Sequence, residues 1–155
     1  MRKRRAPKRE YALDPVYSNI AVSRFVNYVM QDGKKSTAEK VVYEAMKIAG
    51  DKLKKEPLEV FEKVIENASP AVEVSSRRVG GANYQVPREV RPDRKFVLAS
   101  RWILAAVRSR SGKPMAERLA DEFVAVYNNE GATIKKKQDV HRMAEANRAF
   151  AHFAR

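Results

Sequence analysis

The sequence predicts a mainly α-helical single domain of about six helices with an inserted two-stranded antiparallel β-hairpin. Apolar residues recur at three- and four-residue spacing along most of the chain, the period of a helix with one buried face. Between Pro70 and Pro92 alone the period changes to two, around a Gly80-Gly81 pair, which is the pattern of a hairpin. A third observation sets the scale: 155 residues with 44% hydrophobic content can bury one core without disulfide or metal staples.

The elements follow in order. The first ten residues hold Arg2, Lys3, Arg4, Arg5, Lys8 and Arg9; their mutual repulsion predicts an arm that stays disordered until it meets phosphate. From Ser18 to Gly33 a first helix is marked by Val22, Phe25, Val26, Val29 and Met30, with Gly33 as its terminating residue. Ser36 and Glu39 match a capping box for a second helix, whose inner face is Ala38, Val41, Val42, Ala45, Ala49 and Leu53. Pro57 suits the first turn of a third helix carrying Leu58, Phe61, Val64, Ile65 and Ala68, and Pro70 closes it. The hairpin arm then spans residues 72–90: Val72 and Val74 alternate with Glu73 and Ser75, and Tyr84, Val86 and Val90 follow the glycines. Pro92 opens a fourth helix with Leu98, Ala99, Trp102, Ile103 and Ala106 inward. After a loop from Ser109 to Pro114, a fifth helix carries Ala116, Leu119, Ala120, Phe123 and Tyr127. Beyond Gly131 a last helix runs through Val140, Met143, Ala144 and Asn147 towards Phe150.

Charge narrows the function. The chain has 32 Lys and Arg against 19 Asp and Glu, a net +13, which favours polyanions because neutralised phosphates release their condensed counterions. With no cysteine, disulfides, thiolate metal sites and thiol nucleophiles are all excluded. The basic N-terminus lacks the apolar stretch of a secretory signal, and no run approaches the ~20 apolar residues that span a bilayer. A soluble, intracellular protein is the expectation.

The candidate contacts are basic. If Gly80-Gly81 is the hairpin turn, Arg77 sits opposite Tyr84 and Glu73 opposite Arg88. The second pair would be a cross-strand ion pair, and the first would offer a ring and a guanidinium on which a base or ribose could stack. On the fourth helix Arg94, Arg101 and Arg108 recur every seven residues and so line one face. Arg91 and Lys95 extend that row towards the hairpin, Arg110 and Lys113 extend it into the following loop, and Asp93 is the lone acid among them. Lys34-Lys35 and Lys135-Lys136-Lys137 each sit at a predicted helix start, where exposed N–H groups also favour anions. His141 and His152 share a predicted face with Arg148; without a third ligand at suitable spacing they read as RNA contacts or surface residues, not metal ligands. No metal or cofactor site is predicted. Enzyme readings fail individually: Gly33-Lys34-Lys35-Ser36 resembles the end of a phosphate-binding loop, but the loop would need Gly where Tyr28 stands and Ser or Thr where Lys35 stands.

Several segments together resemble one family. Val72-Glu73-Val74, Ser76-Arg77-Arg78-Val79-Gly80-Gly81 and Tyr84-Gln85-Val86-Pro87 are similar to the hairpin of small-subunit ribosomal protein seven, bacterial type. So are Asp32-Gly33-Lys34-Lys35-Ser36, Arg101-Trp102, and the closing run from Lys135 through His141-Arg142-Met143 and Asn147-Arg148 to His152. The resemblance implies a non-enzymatic, primary RNA-binding protein of the cytoplasmic ribosome. Such proteins bind the three-prime major domain of small-subunit ribosomal RNA and nucleate assembly of the head. The basic arm, Lys34, Lys35, Arg94, Lys95, Arg101, Arg108 and Lys113 would hold that RNA. Arg91, Arg110, the three lysines at 135–137, His141, Arg142 and Arg148 join them. The hairpin, with Arg77, Arg78, Gly80, Gly81, Tyr84 and Arg88, would lie near exit-site tRNA and the messenger path. Small-subunit proteins nine and eleven are the implied neighbours, with no membrane partner and no homo-oligomer. One departure stands out: members of the family often end in aromatic-Arg-Trp, whereas this chain ends Phe153-Ala154-Arg155. The alternative from the residues alone is a DNA-binding architectural protein with the hairpin in a groove; a membrane-surface protein would need a large unburied apolar face.

Overall fold

The computed structural model describes residues 10–154, so the predicted arm from Arg2 to Arg9 lies outside the described residues. The elements are α1 (Ile20–Val29), α2 (Lys35–Leu53), α3 (Pro57–Ala68), β1 (Val72–Val79), β2 (Ala82–Glu89), α4 (Pro92–Ser109), α5 (Met115–Tyr127) and α6 (Gly131–Ala146). A C-terminal 3-10 helix covers Arg148–Ala154. The mainly α fold with one antiparallel hairpin is as the periodicity predicts.

The core forms where the apolar stripes of α1 to α5 meet, joined by Ile134 of α6. At its centre three fully buried rings from three helices, Phe25, Phe61 and Phe123, lie 5.5 to 6.1 Å apart in tilted or edge-on pairs. That is the arrangement the ring quadrupoles favour. Trp102 is not part of this core. The buried stripe of α4 runs through Phe96, Ala99, Ile103 and Val107, and Trp102 lies about 100° round the helix from Ile103, at the stripe's margin.

Four helix ends differ from expectation. α1 stops at Val29, and Gly33 serves a tight turn with Asp32 instead, both at positive φ (72° and 52°). Within that turn Lys34 N–H bonds the Gln31 carbonyl and Lys35 N–H the Gly33 carbonyl, which leads directly into α2. Ser36 is therefore already inside the helix, Lys34 occupies the N-cap without a side-chain bond, and the Ser36–Glu39 box is unused. α6 begins at Gly131, ahead of the lysine cluster, and ends at Ala146 rather than running on to Phe150. Asn147 ends it, its side chain and its backbone N–H both bonding the Met143 carbonyl (2.7 and 3.2 Å). The inner face of α6 is Thr133, Ile134 and Ala144, leaving Met143 47% exposed.

The hairpin keeps the predicted register, pairing Arg77 with Tyr84 and Glu73 with Arg88. Gly80 and Gly81 both adopt positive φ (58° and 92°), which a two-residue hairpin turn of the primed type requires and which glycine alone adopts without a Cβ penalty. Val86 and Val90, each 2% exposed, seat the base of the ribbon on the helical body.

Candidate nucleic-acid interface

α4 presents the clearest cationic face. Arg94, Arg101 and Arg108 are exposed, roughly opposite the buried Ile103 stripe. Arg91 is the exposed N-cap and Lys95 is half-buried. The face is continuous with the hairpin through Glu73: its carboxylate accepts from Arg88 at 2.8 Å and from Arg94 at 3.3 Å, and it is only 12% exposed. One acid thus ties the ribbon to the helix. Lys34 and Lys35 stand at the start of α2 with weak local partners, Asp32 at 4.0 Å and Glu39 at 3.7 Å. Exposed pairs of that kind contribute little and yield readily to a phosphate.

Several residues grouped with this face by sequence have other tasks. The Arg110 guanidinium pairs with Glu122, a fully buried carboxylate of α5 that also accepts the Thr133 N–H (3.1 Å) and the Thr133 hydroxyl (2.6 Å). Arg110 therefore neutralises a core acid. Glu122 occupies the apolar stripe between Leu119, Phe123 and Val126; an acid at such a position signals a buried partner. Lys113 shares Asp121 with Lys52 (3.1 and 2.6 Å), and their hydrogen bonds hold that carboxyl below its ordinary value of 3.8.

Lys135 and Lys136 are exposed within α6. Half-buried Lys137 points inward and donates to the Asn67 carbonyl at the end of α3 (2.7 Å), while the Asn67 amide donates to the Val126 and Tyr127 carbonyls at the end of α5. Burial lowers the Lys137 pKa below 10.5. His141, half-buried, also has a task within the fold. Its Nε2 accepts the Ala71 N–H at 3.2 Å, tethering the base of the hairpin, and burial, reinforced by Lys137, pushes its pKa below the ordinary 6.5. His152 lies apart on the 3-10 helix with Nδ1 2.9 Å from the Ala149 carbonyl. Arg142 and Arg148 are about four-fifths exposed beside Asp139 and Glu145, and remain available.

The hairpin is clamped from the C-terminus. The Tyr84 ring lies 5.2 Å from that of Phe150 and 5.3 Å from that of Phe153, and Arg77 Nη1 donates to the Phe153 carbonyl (3.3 Å). The cross-strand neighbour of Arg77 is thus partly covered by aromatic rings, while Arg78, Gly80 and Gly81 are exposed towards the tip. The sequence reading missed this clamp, because the paired residues are far apart in the chain. It also missed Asp14, 3% exposed, whose carboxylate accepts from Val16 N–H, Tyr17 N–H and the Tyr43 hydroxyl (3.1, 2.9 and 2.6 Å). The following Pro15 was the signal, since Asp-Pro starts turns.

Among the described residues there is no cluster of His, Asp and Glu suited to a metal ion, and no helix long and apolar enough to cross a membrane. Comparison with known proteins finds similar chains over nearly the whole length. The profile of the family described as ribosomal protein S7p/S5e matches residues 1–148. A small ribosomal subunit protein uS7 from Thermotoga petrophila is 58% identical over 153 residues, 99% of both chains. The protein of that name from Thermosipho melanesiensis is 59% identical over the same share, and that from Chloroflexus aggregans is 58% identical over 92% of this chain and 90% of its own.

Proposed function

Since the chain belongs to the ribosomal protein S7p/S5e family, and is thus a structural, non-enzymatic protein of the small ribosomal subunit, we propose that it binds the three-prime major domain of small-subunit ribosomal RNA directly and nucleates assembly of the head. The observation that carries this reading is the exposed row Arg94, Arg101 and Arg108, continuous at one end with the hairpin and accompanied by Lys34 and Lys35. Arginines on a rigid helix suit phosphates held in a folded RNA, because the guanidinium fork keeps its geometry. Contacts of this kind position the protein by backbone and shape, with base stacking at unpaired sites. The six basic residues between Arg2 and Arg9 add positive charge for the RNA.

The hairpin, with Arg77, Arg78 and Tyr84, lies towards exit-site tRNA and the messenger path, and small-subunit proteins nine and eleven are the neighbours. Its exposed, glycine-tipped end supports that reading, since a projecting ribbon can reach RNA beyond the protein's own binding site. The test is affinity for a head-domain ribosomal RNA fragment against an unrelated folded RNA of equal length, across several salt concentrations. A cognate margin that survives rising salt is the expected outcome. Equal affinities with equally steep salt dependence would leave only net charge at work and defeat the proposal.

A further inference from the structure

We propose that the cleft between the ends of α1, α2, α4 and α5 receives a single unstacked nucleotide of the bound RNA. The proposal rests on the RNA-binding reading above and adds a site to it. The cleft has a volume of about 380 Å³, within the roughly 300–1,000 Å³ of small-ligand clefts. Its chemistry is divided. Val29, Ala38, Val41 and Met115 supply an apolar lining, while Lys34, Arg108 and Arg118 bring positive charge.

That division matches a nucleotide. An unstacked base has two apolar faces and a polar edge, and its phosphate is an anion; a base inside a duplex offers no face to a protein. Two further observations favour an anionic occupant. Neither α2 nor α5 is capped by a side chain, and both begin at this cleft, so the positive ends of two helices converge on it. The Arg118 guanidinium is held in place at the cleft by the carbonyls of Val107 (3.3 Å) and Arg110, so its charge is fixed there before any ligand arrives. Gln31 and Asp32, in the turn before α2, line the same cleft and can meet the polar edge of a base. Arg108 also belongs to the α4 row, so RNA following that row arrives at the opening.

Thr37 provides the test, because it lines the cleft, is exposed and carries no charge. Thr37→Trp in the full chain would fill the space with an indole and leave the cations untouched; Thr37→Ser is the control, and Gln31→Trp a second filling variant. Far-UV circular dichroism checks that each variant is folded. The expected result is about a tenfold loss of affinity for the head-domain fragment in the tryptophan variants, with the salt slope reduced by at most about one, the share of the single phosphate that enters the cleft. Chemical probing of the RNA should show one unpaired base protected by the wild type and exposed again with Thr37→Trp. If folded tryptophan variants bind and protect as the wild type does, the cleft is empty in the complex and the proposal falls while the RNA reading stands. A loss accompanied by a salt slope reduced by about two or more also overturns it, since more than the one nucleotide would have been displaced. A wild type that does not prefer the cognate fragment would instead defeat the underlying RNA reading.

Discussion

A single carboxylate shows how much one residue can decide. Glu122 is fully buried and held by the Thr133 N–H, the Thr133 hydroxyl and Arg110. Glu122→Ala would strand the two buried Thr133 donors and leave Arg110 to water, and urea unfolding should show a loss of about 2–6 kcal/mol, about 1–3 for each stranded donor. Arg110→Ala leaves the threonine bonds in place and exposes the acid to solvent on one side; about 1–3 kcal/mol is expected, with little change in RNA affinity for the folded protein. His141 sets a second test, in pH. Its folded-state pKa lies below 6.5, so protons bind the unfolded chain more tightly than the folded one. Its contribution is complete above about pH 6.5 and is lost as pH falls through the folded value. Denaturation midpoints should therefore decline from pH 7 towards pH 5, with faster hydrogen exchange at Ala71, and His141→Gln should flatten that decline. The carboxyl of Asp121, lowered from 3.8, and that of Glu66, lowered from 4.5, act only at more acid pH and leave this window clear.

At the scale of elements, the hairpin depends on groups outside itself. Two strands alone are marginal in water, and here the ribbon is held by Val86 and Val90 on the body, Glu73 to Arg94, Ala71 to His141, and Tyr84 against Phe150 and Phe153. Aromatic pairs of this type are worth about 0.5–1.5 kcal/mol beyond their buried area. Phe153→Ala should leave the register intact, because Gly80-Gly81 and the Glu73–Arg88 pair set it, yet quicken hydrogen exchange along β2 by roughly tenfold. An unchanged exchange rate would mean that the clamp contributes nothing. The period of the apolar residues revealed the six α-helices and the hairpin, since period reports which side is buried, but not the C-terminal 3-10 helix. The ends were harder to read. Gly33 looked like a helix terminator and proved to be part of a turn, because backbone bonds from Lys34 and Lys35 within four residues decide where α2 starts.

For the whole molecule, the division between charges that bind and charges that hold the fold makes a direct prediction. Replacing Arg101 and Arg108 together by alanine should lower RNA affinity and reduce the salt slope by about two, one per phosphate contact, without moving the unfolding midpoint. Lys137→Ala should do the reverse, because its ammonium joins the middle of α6 to the ends of α3 and α5 through Asn67. Sequence could not separate the two classes: a lysine that reaches inward and one that reaches solvent are the same letter, and the difference lies in which backbone stands within 3 Å. What the sequence by itself determined was the mainly helical class, the hairpin, the row at 94, 101 and 108, and the family, because each is written in local spacing or in an ordered string of residues. Only the tertiary structure decided that Arg110, Lys137 and His141 belong to the fold, that Tyr84 is clamped by residues near the C-terminus, and that four helix ends enclose a cleft. Each of those depends on groups distant in the chain meeting at hydrogen-bond or van der Waals range, and no local pattern encodes such meetings.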